Sequence, residues 1–147
     1  MMRSVSGVVG GAIVWMVGFF VLALVLAQLW PDYALHGRQW TRQGVFTFTP
    51  LMACFNLVFW VVAEVGAGWT VGKIAKRREA VWVLAGIVGI YLASLHLVFY
   101  WSRFPWWYNL GVVIPSVAAV FLGGQLATRS APVGPQREAS GPGRAVS

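Results

Sequence analysis

The amino-acid sequence predicts an all-α polytopic membrane protein, an antiparallel four-transmembrane-helix bundle. Three observations carry that expectation. Of 147 residues, 59% are hydrophobic and 10% charged, against about 45–50% and about 25% in an ordinary soluble domain. A soluble chain of this size has too little interior to bury so much apolar surface. Four stretches each supply the roughly 20 apolar residues that a bilayer-crossing helix needs, and each carries a face of small side chains.

The first span is expected over about Val8–Leu29, without a charge. The second runs from about Val45 to Gly72 and contains Glu64. The segment between them, with Asp32, Tyr33 and His36, reads as an outer loop. The third runs from about Val81 to Trp101, and the fourth from about Trp106 to Ala127. Pro105 precedes the fourth, and a fixed φ suits a helix start. Pro115 lies inside it and predicts a kink near Gly111–Pro115. Residues 1–128 thus form one transmembrane domain. From there the chain is mostly Pro, Gly, Ser, Ala and Arg, and residues 129–147 are expected to be a disordered cytoplasmic tail.

Charge sets the orientation. With the N-terminus inside, eight of the eleven basic residues are cytoplasmic: Arg3, Lys73, Lys76, Arg77, Arg78, Arg129, Arg137 and Arg144. Arg38, Arg42 and Arg103 are outside. The positive-inside rule therefore puts both termini in the cytoplasm of a bacterial inner membrane. Trp30, Trp40, Trp101, Trp106 and Trp107 gather at the outer interface in this frame, and Trp69 and Trp82 at the inner one, where amphipathic rings prefer to sit. A second reading of the first span takes Val25-Leu26-Ala27 as a signal-peptidase site. Its apolar run is longer than the usual h-region of about 7–15 residues, which favours a retained helix.

Composition also excludes function classes. The single cysteine, Cys54, rules out an intramolecular disulfide and the four-helix membrane thiol oxidases, which need cysteine pairs. The net charge of +7 is spread over loops and tail, as topology requires, so no nucleic-acid partner is expected. No serine-nucleophile elbow, zinc-protease motif, phosphate loop or paired carboxylate occurs, and no enzyme activity is expected.

Helical projection at about 100° per residue separates the faces. In the second span Asn56, Trp60, Glu64, Ala67 and Gly68 share one side, opposite Leu51, Phe55, Val58, Val62 and Trp69. In the third, Trp82, Ala85, Gly86, Gly89, Ala93, His96 and Tyr100 are expected inward, and Leu84, Ile87, Tyr91, Leu95 and Val98 toward lipid. Asn109, Ser116 and Gly123 recur every seven residues in the fourth, the seam of a close antiparallel packing. Gly7, Gly11 and Gly18 in the first span, with Gly68 and Gly72 in the second, complete the packing set, since helices associate in lipid through small residues.

Glu64 is the only acid within a span, about 12 Å from the inner end at roughly 1.5 Å per residue. A charged carboxylate there is costly and marks a candidate functional residue. It is expected to hydrogen-bond Asn56, Ser116 or a backbone carbonyl, or to reach toward Lys73 or Lys76. With Asn56 and Trp60 beside it, it also suits a protonatable transport site. His96 is the fourth candidate, roughly 10 Å from Glu64 along the helical rise. With two histidines in the chain, no metal or haem ligand set is expected, and no cofactor.

The steps Trp30-Pro31, Gly66-Ala67-Gly68-Trp69 before Lys76-Arg77-Arg78, Pro105-Trp106-Trp107-Tyr108 and Leu122-Gly123-Gly124 resemble a loose class of small four-span bacterial inner-membrane proteins. The resemblance covers most of residues 1–128 and implies fold and location, since the class has no known activity. The expected function is a non-enzymatic accessory or scaffold in the lipid bilayer, packing with a second copy or another membrane protein. The alternative is a small proton-coupled transporter, acting as an oligomer through Glu64.

Overall fold

The computed structural model describes residues 2–44 and 46–129. Val45, expected to open the second span, and the expected tail beyond Arg129 lie outside the described residues. All regular structure among those residues is helical: α1 (Met2–Leu29), α2 (Pro31–Gln43), α3 (Pro50–Ala75), α4 (Arg78–Ala93) and α5 (Trp106–Arg129). A π-helical segment, Ser94–Phe99, prolongs α4. α1, α3, α4 with its π segment, and α5 are long and apolar enough to cross a membrane.

Local chemistry sets the boundaries. Trp30 is extended and Pro31 opens α2, whose end is fixed by Gly44 at φ 66°, its N–H bonded to the Trp40 carbonyl at 2.8 Å. That left-handed turn favours glycine. Thr49 caps α3, its hydroxyl accepting from the Met52 N–H at 3.3 Å, and Pro50 follows. The second long helix therefore starts at Pro50, and residues 46–49 are not helical; a residue before proline is pushed out of the helical region. The expected outer loop is largely α2. A proline at the start and a glycine past the end are helix punctuation, so its signature was present in the chain.

The most extensive helix contacts are α3 with α5 and α1 with α3, and glycine makes both. A β-carbon at Gly68 would fall on the Val120 carbonyl oxygen, and one at Gly123 on that of Val65. At Gly72 it would meet the Ala127 Cβ at 2.6 Å, and at Gly124 a Val81 methyl at 2.8 Å. The α5 seam of Asn109, Ser116, Ala119, Gly123 and Ala127 is buried, but it meets an α3 that runs in its own direction. The contact order shows this: Asn56 pairs with Tyr108, Gly68 with Val120 and Gly72 with Ala127. Heptad spacing reveals the seam but not the direction of its neighbour. α1 crosses α3 the other way: a β-carbon at Gly7 would meet Ala75 at 2.9 Å, one at Gly11 would meet Val71 at 2.5 Å, and Gly18 faces Ala63 at 3.7 Å.

α4 with its π segment departs from the expected face in part: Ala85 and His96 are buried and Ile87, Tyr91 and Val98 exposed, as spacing predicts, but Trp82, Gly86 and Leu84 are reversed. Leu84, Val88 and Leu92 are fully buried, whereas Trp82 is 65% exposed. Gly86 is exposed, with nothing within 4 Å of its would-be β-carbon. Gly89 does approach Val117, at 2.9 Å. The small-residue rule fails here because aliphatics one turn apart fill the space that the glycine-tight α3–α5 pair leaves beside it. α5 stays helical through Pro115, and the Ser116 hydroxyl donates to the Val112 carbonyl.

These contacts separate two glycine classes. Gly68→Ala should lower stability in detergent by about 2–3 kcal/mol or more, since the new carbon meets backbone. Gly86→Ala should stay within about 0.5 kcal/mol. Thermal or SDS unfolding of the two variants reads the difference.

Candidate functional site

Several polar side chains meet at one end of the helices, around the part-buried Asn56. Its Nδ2 donates to the Tyr33 hydroxyl at 2.6 Å, and its Oδ1 accepts from the Tyr108 hydroxyl at 2.6 Å. One amide thus ties α2, α3 and α5 together. The Trp60 indole faces the Tyr108 hydroxyl from one turn further along α3. Tyr33, 5% exposed, wedges α2 into a small apolar cluster with Leu26 and Met52. Burial pushes its phenol up from the usual range, and the Asn56 hydrogen bond offsets part of that, so Tyr33 stays neutral while its hydroxyl accepts from Asn56.

His96 joins from the π-helical segment. Its Nδ1 lies 3.0 Å from Asn109 Oδ1. Asn109 Nδ2 donates to the Phe104 carbonyl at 3.2 Å, which fixes the amide and makes the imidazole Nδ1–H the donor. Nε2 is then left as an acceptor. His96 is buried within the π-helical turn, on the inward side that helical spacing predicts.

These groups line a cavity of about 1070 Å3 between the C-terminal half of α1, α2, the 46–48 strap and the π segment. Its walls are aromatic. Phe19 stacks on Trp60 at 4.0 Å, and Phe104 lies 4.5 Å from Trp40 and 4.9 Å from Phe46, ring centre to ring centre. Phe20 and Leu24 of α1 line it while remaining 64% and 62% exposed, so the cavity is continuous with the molecule's apolar exterior. Arg38 and Arg42 of α2 supply its cations. The arrangement brings an apolar slot together with two arginines, Tyr33 and His96. No group of three or more metal-ligating side chains occurs among the described residues.

Of the four candidates read from sequence, Asn56, Trp60 and His96 line this cavity and Glu64 does not. Glu64 is fully buried on the α5 side of α3. Neither carboxyl oxygen has a hydrogen-bond partner among the described residues. Asn56 is engaged by the two tyrosines, and the neighbouring Ser116 hydroxyl gives its proton to Val112. The buried Trp15 indole nitrogen is also unpartnered. Projection does not bring in Tyr33, Phe46 and Phe48; the helix punctuation that opens and closes α2 is the signal that points to them.

Compared with known protein families, curated proteins and solved structures, the chain matches none.

Asn56→Ala removes both amide hydrogen bonds and should cost about 1–3 kcal/mol, the penalty for stranding buried partners. Tyr33→Phe should cost about 1 kcal/mol. The double variant should fall short of the sum, because both act on one bond. SDS unfolding of the three variants measures it.

Proposed function

We propose that this chain is a non-enzymatic integral membrane protein that holds an amphiphilic molecule in the cavity beneath α2. Its four long helices cross a bacterial inner membrane as an up-and-down bundle, with both termini cytoplasmic. Alternating helix direction and eight inner against three outer basic residues support that frame. In it α2 lies along the outer interface with Arg38 and Arg42 at headgroup depth, and the cavity opens sideways toward the outer leaflet.

The observation that carries the reading is the cavity itself. Its 1070 Å3 is large for a chain this small; drug-sized pockets run to about 300–1,000 Å3. An apolar wall continuous with the lipid-facing surface admits a hydrocarbon or aromatic tail, while the Asn56–Tyr33–Tyr108 network and the α2 arginines take its polar end. The reading keeps the accessory role expected from sequence and gives it an object. The small-residue faces of α3 and α5 are consumed within the chain, which moves attention from scaffold packing to ligand holding.

A second reading, a proton-coupled transporter working through Glu64, draws on one observation: a buried carboxyl without a partner. Glu64→Gln decides between them. Under the ligand-holding reading, the variant shifts stability by less than about 1 kcal/mol and leaves cellular phenotypes intact. Loss of a proton-gradient-dependent phenotype in a folded variant would favour the transporter.

Native mass spectrometry of protein released from nanodiscs tests the ligand-holding reading. The expected result is a retained adduct in the wild type, lost when Ala23→Trp fills the α1 wall and the fold persists. A bare wild-type protein, or equal adducts in both, would overturn it.

A further inference from the structure

We propose that the cleft at the opposite end of the helices, between the start of α4 and the end of α5, binds a phosphate group, carried by an anionic phospholipid headgroup or as the free ion. The cleft has a volume of about 450 Å3, and Arg77, Arg78 and Arg129 all line it. Thr128 and Gln125 add neutral polar groups, and among the described residues no carboxylate lines the cleft. Three guanidiniums around one small cleft repel each other, and an anion between them turns that repulsion into attraction. Planar guanidinium forks match phosphate oxygens in pairs, which a lysine ammonium does not.

The backbone adds to the same field. α4 begins at Arg78, and the preceding Arg77 gives no side-chain cap. The first-turn amides therefore present unpaired donors and the positive end of the helix dipole. A helix start of this kind favours phosphate, and here it coincides with a formed cleft and three cations. Glu79, in that first turn, is exposed and does not line the cleft. The carbonyl end of α5 opposes an anion, and Arg129 in its last turn offsets it.

The cleft is also rigid on its floor. Gly72 and Gly124 line it at the closest approach of α3 and α5, and Gly124 presses on Val81 of α4. A headgroup therefore meets guanidiniums mounted on fixed helix ends. Trp82 lies against Phe121, ring centres 4.2 Å apart, at the cleft's edge and is 65% exposed. In the proposed membrane frame this ring sits at the inner interface, where an acyl chain leaving a bound headgroup would pass. The site shares no residue with the cavity beneath α2.

The test uses the full chain in detergent micelles. Phosphatidylglycerol is titrated in and bound lipid is counted by native mass spectrometry, with zwitterionic phosphatidylcholine as reference. Phosphatidylglycerol should bind in preference. The double variant Arg78→Gln/Arg129→Gln should weaken it by about fivefold per guanidinium removed, the size of one charge near an anionic surface. Lys73→Gln/Lys76→Gln removes equal charge at the same end from residues outside the cleft and should change binding less than about twofold at physiological salt, where charges that do not touch the ligand are screened. Should the arginine variant fail to fold, Gln125→Glu places a carboxylate in the cleft from an exposed position and should give the same loss. Equal losses in the lysine and arginine variants, or no preference for phosphatidylglycerol, would overturn the proposal. Inorganic phosphate, against chloride at matched ionic strength, separates the sources. Displacement of the lipid by phosphate assigns the site to the free ion; retention that depends on Trp82 assigns it to the lipid. Binding of neither probe would overturn the proposal as well.

Discussion

Close backbone contact between α3 and α5 is the constraint on which the remaining structure depends. Gly68 and Gly123 let each helix touch the other's carbonyl groups, and Gly72 and Gly124 extend the contact to the end of the pair. In the proposed membrane frame, apolar side chains gain little by leaving lipid for one another, so close packing has to supply the attraction between the helices. The same contact sets the register. With Gly68 opposite Val120, Asn56 falls opposite Tyr108, and Glu64 beside Ser116. α1 joins by the same means through Gly7 and Gly11, while α4 fills the remaining groove with Leu84, Val88 and Leu92.

That geometry explains why the interior is uneven. Where glycines bring the helices together, the core is dense. Toward the other end, the residues are large: Phe19, Trp60, Tyr108 and Phe104 hold the helices apart, and α2 with the 46–48 strap closes part of the gap. A gap with walls too bulky to collapse becomes a cavity, and the polar network across its floor keeps α2 in place. A part-buried amide bonded to side chains from two other helices favours one arrangement of the elements that carry them, as Asn56 does for α2, α3 and α5.

Much of this could be read from the chain. The four long apolar helices follow from composition and run length, and the glycines and seam residues of α1, α3 and α5 follow from spacing. On α4 and its π segment, projection by size fails at Leu84, which packs inside, and at Gly86, which lies outside, because tertiary space decides there; Ala85 and His96 follow the pattern. The cavity was legible only in fragments. Asn56, Trp60 and His96 stood out as polar or aromatic residues on inward faces, but their partners Tyr33 and Tyr108 come from α2 and the start of α5. No local pattern brings residues 23 and 52 positions apart to one amide. Glu64 drew notice through the rarity of an acid in a span, and depth alone does not say which helix it faces.

Ligand holding requires that hydrocarbon enter the space beneath α2. Photolabelling in nanodiscs with a phospholipid bearing a diazirine on its acyl chain reports this residue by residue after proteolysis and mass spectrometry. Labels on Ala23, Trp60 and Tyr100, which line the cavity, alongside the exposed girdle, are the predicted result. Labels confined to outward residues such as Val58, Val62 and Ile90 would contradict it.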